Sequence, residues 1–329
     1  MSDKNQTPSR LVRKRRRRKF RRRLYFLLVL CFIAFFVVAS YAAYLYVKAG
    51  SVMSESYEGV GREKSELRET AVDPSKDNFS MLIIGADESE ERDNEGAARS
   101  DTLMLATFNK EDKSVKLVSI PRDSLVYIPE VDRETKINHA YAYGGAKATI
   151  ETVEHLLDIP VDYHVTLNFE AFIDVVNALN GITVDVPYEL YEQNSDGEKG
   201  AIHLLPGEQQ LNGEQALALA RTRKLDNDIE RGKRQQEIIK AAMDKAISVG
   251  SVFKYDDVIE AVGDNMTTNM TFSEIKSLIS YGTSGTNLDI ETYTLEGSDY
   301  QPGSVYYWKL DETVLEEIKL MLKEHLEIS

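Results

Sequence analysis

The apolar positions of this chain fall into three kinds of run. The first is unbroken: residues 24–47, LYFLLVLCFIAFFVVASYAAYLYV, carry no charge. As a helix they reach roughly 36 Å, enough for a bilayer core of about 30 Å. The run predicts one transmembrane helix, with Tyr25 at one interface and Tyr41, Tyr44 and Tyr46 at the other. The second kind is short. FSMLIIGAD (79–87), TLMLATFN, SVKLVSIP and ITVDVP read as strands, and the KEDK between the second and third predicts a hairpin.

The third kind has helical period. AKATIETVEHLLD (146–158) lines Ile150, Val153, Leu156 and Leu157 on one stripe. FEAFIDVVNALNG predicts a helix closed by Gly181, and GEQQLNGEQALALA another that runs into a basic stretch. IERGKRQQEIIKAAMDKAI, TFSEIKSLISYG and DETVLEEIKLMLKEHL follow, the second with Thr271 as N-cap and Glu274 completing a capping box. LDIETYTLEG between the last two is a late strand. Strands alternating with helices predict an α/β fold: a central mixed β-sheet flanked by helices, preceded by one transmembrane helix. The expected parts are a basic tail (1–23), the membrane helix (24–47), a polar stalk or linker (48–78), a core domain (79–250) and its C-terminal part (251–329).

Charge sharpens this layout. Residues 1–23 contribute +11 to a formal net charge of −14, so the rest carries −25. The basic tail beside the apolar run places the N-terminus in the cytoplasm and the body outside a bacterial cell membrane. An acidic body excludes a duplex-DNA-binding domain, and no nucleic acid is expected as a partner. The one cysteine, Cys31, lies in the apolar run, so no intrachain disulfide is available and the body depends on its core.

Against that acidic background, ARTRKLDNDIERGKRQQ (220–236) concentrates cations. Arg221 and Arg223, if extended, leave one face together. Asp228, Arg231, Arg234 and Gln235 follow helical spacing. An arginine pair leading into a helix N-terminus suits an anion, because guanidinium forks bind phosphate oxygens in pairs. The plainer alternative is that these cations balance neighbouring acids, and for Lys224 and Lys233 it is the preferred one. Asp87 ends a strand, and Arg99 and Asp101 follow the next loop. Two carboxylates from neighbouring strand ends suit a hard divalent cation. Otherwise Asp87 caps a turn and Asp101 pairs with Arg99. Arg122 in SIPRD ends another strand, with Asp123 its default partner. His139, His155, His164 and His203 have no metal-ligand spacing and are assigned structural roles. No P-loop or nucleophilic serine elbow is present.

The order GAD (85–87), RSDT (99–102), SIPRD (119–123), LLPGEQQLNGEQALALARTRK (204–224) and D-x-x-R-x-x-R-Q (228–235) resembles the LytR-CpsA-Psr family of bacterial cell-envelope enzymes. The resemblance implies a phosphotransferase with an apolar channel for a polyprenyl lipid. Such enzymes move a phospho-glycopolymer, of teichoic-acid or capsule type, from a polyprenyl-pyrophosphate carrier to peptidoglycan. By resemblance, Asp87 and Asp101 bind Mg²⁺, with Mn²⁺ as a substitute. Arg99, Arg122, Arg221, Arg223, Arg231 and Gln235 surround the pyrophosphate. Asp228 lies beside it as the candidate base, with Arg221 and Arg223 stabilising the transferring phosphate. Glu230 stands where many members have glycine. Two other readings are a pyrophosphatase acting on the lipid-linked glycan, which uses the same residues, and a non-catalytic envelope regulator, for which Arg221 and Arg223 would be dispensable.

Overall fold

The computed structural model describes residues 56–87, 99–222, 228–248, 265–283 and 288–328, with most positions between 25 and 54. The basic tail, 1–23, lies outside the described residues. The chain divides into Met1–Gly50 and Ser51–Ser329. In the first unit the described residues are helical, and Tyr25, Phe26, Phe32, Phe35 and Phe36 are exposed. Among the described residues no helix is long and apolar enough to cross a membrane. Leu24, Leu27, Ala34, Val37, Val38, Ala42 and Leu45 of the expected span are not among them.

The second unit is built on a six-stranded mixed sheet. Its strands are β1 (Phe79–Asp87), β2 (Arg99–Asn109), β3 (Ser114–Ser119), β6 (Tyr163–Leu167), β11 (Met266–Thr268) and β12 (Asp289–Thr294), in the order β11-β6-β1-β2-β3-β12. β1 and β2 pair antiparallel, as do β2 and β3, which form the expected hairpin. β6 runs parallel to β1, and β12 parallel to β3. So β1, β3, β6 and β12 all end at the same edge of the sheet.

FSMLIIGAD shows no apolar–polar alternation because both faces of β1 are covered. Leu82 and Ile84, with Leu103, Leu105 and Val118, pack under helices α1 (His139–Leu157) and α6 (Glu312–Leu326). Phe79 and Met81, with Met104 and Leu117, pack under α4 (Asp228–Ser248) and α5 (Phe272–Thr283). A second apolar cluster joins α2 (Phe169–Ala178), α3 (Gly213–Arg221) and the ribbon of β7 (Ile182–Val186) and β10 (Gly207–Leu211). Short strands β4 (Leu125–Ile128), β5 (Arg133–Lys136), β8 (Leu190–Glu192), β9 (Ile202–Leu204), β13 (Gly297–Tyr300) and β14 (Tyr307–Leu310) complete the fold in pairs.

Two expectations change. The helix expected over 207–220 begins only at Gly213: GEQQL is β10, and Asn212 caps α3 in a reciprocal box with Gln215. The helix expected over 146–158 stands: Gly144 and Gly145 (φ 61°) are non-helical and kink α1, so the segment with the apolar stripe follows them and a short segment from His139 precedes them. The stretch read as a stalk is, from Ser56 onward, part of the body. Tyr57 bridges Thr268, Val60 is in the core, Arg62 pairs with Glu154 at 2.6 Å, and Arg68 with Asp162 at 2.7 Å. Ion pairs and backbone bonds dock this segment, so it shows no apolar period.

Thr271 and Glu274 form the expected capping box, and Gly181 (φ 81°) closes α2 by donating to Val176 O at 2.9 Å. Gly213 lets α3 approach α2. A Cβ there would lie 2.3 Å from Ile173 O and 2.7 Å from Ile173 Cα, both backbone atoms. Gly213→Ala is therefore expected to cost about 1–3 kcal/mol, read as a lower denaturant midpoint with an unchanged slope.

His325 fastens the end of α6 to the sheet. Its Nδ1 lies 2.8 Å from Thr107 Oγ1 and its Nε2 2.8 Å from Ser114 Oγ. Burial, aided by Lys116, pushes its pKa from 6.5 down to about 4. Between those values the unfolded chain binds the extra proton, so the stability contributed by this histidine should fall as pH drops from about 6.5 to about 4. Thermal unfolding across that window should show a shallower slope in His325→Gln.

Candidate active site

Five of the sequence-derived positions gather at the edge where β1, β3, β6 and β12 end. In a mixed α/β sheet this is where ligands bind, because the loops beyond strand ends converge there. Asp87 closes β1 directly across from Arg99 in β2. Gly85 pairs with Thr102 but Ala86 pairs with Ser100, so Asp101 is the extra residue of a β-bulge. A bulge re-aims the side chain it carries. The Asp101 carboxylate accepts a 2.6 Å hydrogen bond from Arg122 Nη1, just beyond the end of β3. The default partner, Asp123, is farther, at 3.8 Å from Arg122 Nε, and is taken by Lys136 at 2.7 Å. Arg122 O accepts from Asn138 N at 3.2 Å, which brings the start of α1 to the site.

From the other side come α3 and α4. Arg221 is the last residue of α3, so the extended arginine pair anticipated from the sequence does not form at that position. Its guanidinium carbon lies 4.6 Å from the centre of the Phe169 ring. Phe169 follows the end of β6, whose Leu167 pairs with Gly85 of β1, so Arg221 is held at the same edge. Arg223 and the rest of 223–227 lie outside the described residues, as do the side chains of Asp87 and Asp228. Asp228 opens α4. Arg231, in the first turn of α4, is 5 % exposed. Its neighbour Gly232 packs so close to β3 that a Cβ would lie 3.0 Å from Ser119 Oγ.

Arg234 and Gln235 do different work. Arg234 Nη2 donates to Thr222 O at 2.6 Å and Nε to Leu219 O at 3.2 Å; Gln235 Nε2 donates to Ala220 O at 3.2 Å. These donors close the C-terminus of α3, where helical carbonyls lack partners. Gln235, expected at the pyrophosphate, thus spends its amide N–H on the helix that carries Arg221. Lys233 pairs with Glu230 at 2.8 Å, the plainer role foreseen for it.

Sequence reasoning passed over Asn138, between β5 and α1, and gave His139, the first residue of α1, only a structural role. His139 Nδ1 lies 3.0 Å from Thr135 Oγ1, and its pKa is lowered by burial and then by Arg99, Lys136 and Arg133. Asn138 is buried, with its side-chain oxygen lacking a hydrogen-bond partner among the described residues. No spacing signal marks this stretch, because its relation to Arg122 arises from the turn that follows β3. His155 sits 5.1 Å from the Tyr127 ring, His164 is fully buried on β6, and His203 pairs with Glu189, as structural histidines do.

The cation fit rests on donor chemistry. Asp87 and Asp101 stand on neighbouring strands at the edge where the arginines collect, and two carboxylates plus phosphate oxygens are what Mg²⁺ uses. Two surface grooves of about 410 and 580 Å³ lie beside α4, one against β7 and one against β12 and α6. Neither is lined by Arg122, Arg221 or Arg231, and neither is the apolar channel that the resemblance implies.

The LytR_cpsA_psr family pattern matches residues 43–324. The polyisoprenyl-teichoic acid–peptidoglycan teichoic acid transferase TagT of Bacillus subtilis (strain 168) is 42 % identical over 298 residues, 89 % of this chain and 92 % of that one. A solved structure of TagT bound to LIIa-WTA superposes with a TM-score of 0.70 at 41 % identity, over 81 % of this chain and 97 % of that one. Another, of TagT with bound octaprenyl pyrophosphate lipid, gives 0.66 at 39 %, over 81 % and 98 %. Motif order, sheet topology and these likenesses agree: the chain belongs to the LytR_cpsA_psr family.

Proposed function

We propose that this protein is a phosphotransferase that moves a teichoic-acid-type phospho-glycopolymer from a polyprenyl-pyrophosphate carrier to peptidoglycan. The observation that carries this reading is the likeness, over nearly all of both chains, to a transferase named for that reaction. The site offers what the chemistry needs. Arg122, Arg221 and Arg231, with Arg99 and Arg223, surround the pyrophosphate and take up charge as it develops on the transferring phosphate. Asp101 holds Arg122 in place beforehand. A sugar hydroxyl of the acceptor attacks the phosphorus next to the glycan. The bond from that phosphorus to the bridging oxygen breaks, polyprenyl monophosphate leaves, and the hydroxyl proton passes to Asp228. Mg²⁺, when bound, is held by Asp87 and Asp101 and neutralises phosphate charge.

The lipid tail needs an apolar slot. Ile84, Leu103 and Ile120 carry one apolar layer to within three residues of Asp87, Asp101 and Arg122. Residues 24–47 anchor the chain in the cell membrane, with 1–23 in the cytoplasm and the sheet domain outside. The exposed aromatic helix and the basic tail support that placement.

Purified protein supplied with a lipid-pyrophosphoryl glycan, Mg²⁺ and peptidoglycan fragments should yield a glycan–peptidoglycan phosphodiester and polyprenyl monophosphate in equal amounts. Free glycan phosphate in place of the joined product would identify a hydrolase.

A further inference from the structure

The hairpin of β13 and β14 is fastened to the segment that carries Arg122. Trp308 N donates to Asp123 O at 2.8 Å, and Trp308 forms a parallel bridge with Ser124. Asp123 binds Lys136 at 2.7 Å, and Lys136 Nζ lies 5.7 Å from the centre of the Tyr306 ring. A continuous series of contacts therefore leads from Asp101 through Arg122, Asp123 and Lys136 to Tyr306.

The hairpin is aromatic beyond the needs of its own packing. Tyr300, Tyr306, Tyr307 and Trp308 fall within 297–310. Tyr300 is 38 % exposed, Val305 47 % and Tyr306 36 %. Lys309 Nζ lies 5.9 Å from the Tyr300 ring, and Tyr306 Oη donates to Asp299 Oδ1 at 2.8 Å. Lys136 stands over the Tyr306 ring and Lys309 over the Tyr300 ring, and the exposed part of each ring, edged by hydroxyls and a carboxylate, matches a sugar ring. The ring's C–H face packs on the aromatic plane, and its hydroxyls and acidic substituents meet the polar rim. A polyol-phosphate chain, with no such face, gains less from them.

We propose that the β13–β14 hairpin is the acceptor subsite, binding the glycan strand of peptidoglycan so that a sugar hydroxyl reaches the phosphorus held at Arg122. This rests on the transferase reading above and adds where the second substrate lies. Tyr300 and Tyr306 are positioning residues for the acceptor.

The test measures the acceptor KM and the donor KM separately in Tyr300→Ala, Tyr306→Ala and their Phe counterparts. Each Ala variant should raise the acceptor KM about five- to tenfold, the effect of one lost stacking contact. The Phe variants should stay near wild type, and the donor KM should hold. An unmoved acceptor KM, or a donor KM that rises in step with it, would overturn the proposal. Trp308, the chain's only tryptophan, gives a second readout on the unmutated protein. Uncrosslinked peptidoglycan oligosaccharides should shift its emission saturably. No shift at concentrations that saturate transfer would overturn the subsite. Absence of any transfer would count against the transferase reading, while the emission titration still decides whether the hairpin binds glycan.

Discussion

Arg122→Ala should lower kcat for polymer transfer by about 10²–10³, the loss seen when one preorganised charge-stabilising donor is removed, while the thermal midpoint moves little. Arg122 extends from the end of β3 and is fixed by the 2.6 Å bond from Nη1 to Asp101. Both side chains keep about a fifth to a quarter of their surface in water, 20 % and 25 %. A pair that wet contributes on the order of 1 kcal/mol or less to folding. Toward a pyrophosphate the balance differs: the fork is already aimed, and no reorganisation is needed as charge develops. Arg122→Lys should recover only part of the rate, since a point charge replaces a planar fork. Asp101→Asn should also slow transfer, because Arg122 loses its fixing carboxylate. Steady-state kinetics beside thermal unfolding of each variant checks all three.

Arg234→Met should do the reverse, destabilising the fold by about 2–4 kcal/mol. Arg234 is 8 % exposed. Its bonds to Leu219 O and Thr222 O close α3, and its guanidinium carbon lies 5.8 Å from the Tyr188 ring centre. Methionine fills much of the stem's volume but leaves helical carbonyls buried without donors. Activity falls as well, because α3 ends in Arg221, yet it should fall together with the folded fraction. Denaturant titration gives the stability change, and kcat per folded molecule separates it from the Arg122 effect. Two arginines in separate motifs thus have separable signatures, one kinetic and one thermodynamic.

The sequence carried the layered core because burial on two sides leaves a plain mark. FSMLIIGAD has no polar alternation, and the strand it forms has helices on both faces. It carried the strand-end residues of the site as well, since Asp87, Arg99 and Arg122 follow or begin apolar runs. What it could not carry depends on register and on partners distant in sequence. The bulge at Asp101 is a property of how β2 aligns with β1. The helical spacing of Arg231, Arg234 and Gln235 says that they share a side of α4, but not that Arg234 and Gln235 meet the end of α3 there. Asn212 and Gln215 formed a legible capping box inside a segment read as continuous helix, and giving it weight would have separated β10 from α3. The segment from Ser56 to Asn78 docks through Arg62 and Arg68, and isolated charges in a polar stretch look the same whether solvated or paired.

The central claim is that guanidinium groups from β2, the β3 loop, α3 and α4 meet around one pyrophosphate at the edge where β1, β3, β6 and β12 end. The most direct test is an experimental structure of the sheet domain with a short-chain prenyl pyrophosphate and Mg²⁺. The account predicts both phosphorus atoms within contact of Arg122 and Arg221, with the metal between the phosphate oxygens and the carboxylates of Asp87 and Asp101. A head group bound elsewhere, out of contact with both Arg122 and Arg221, would contradict it.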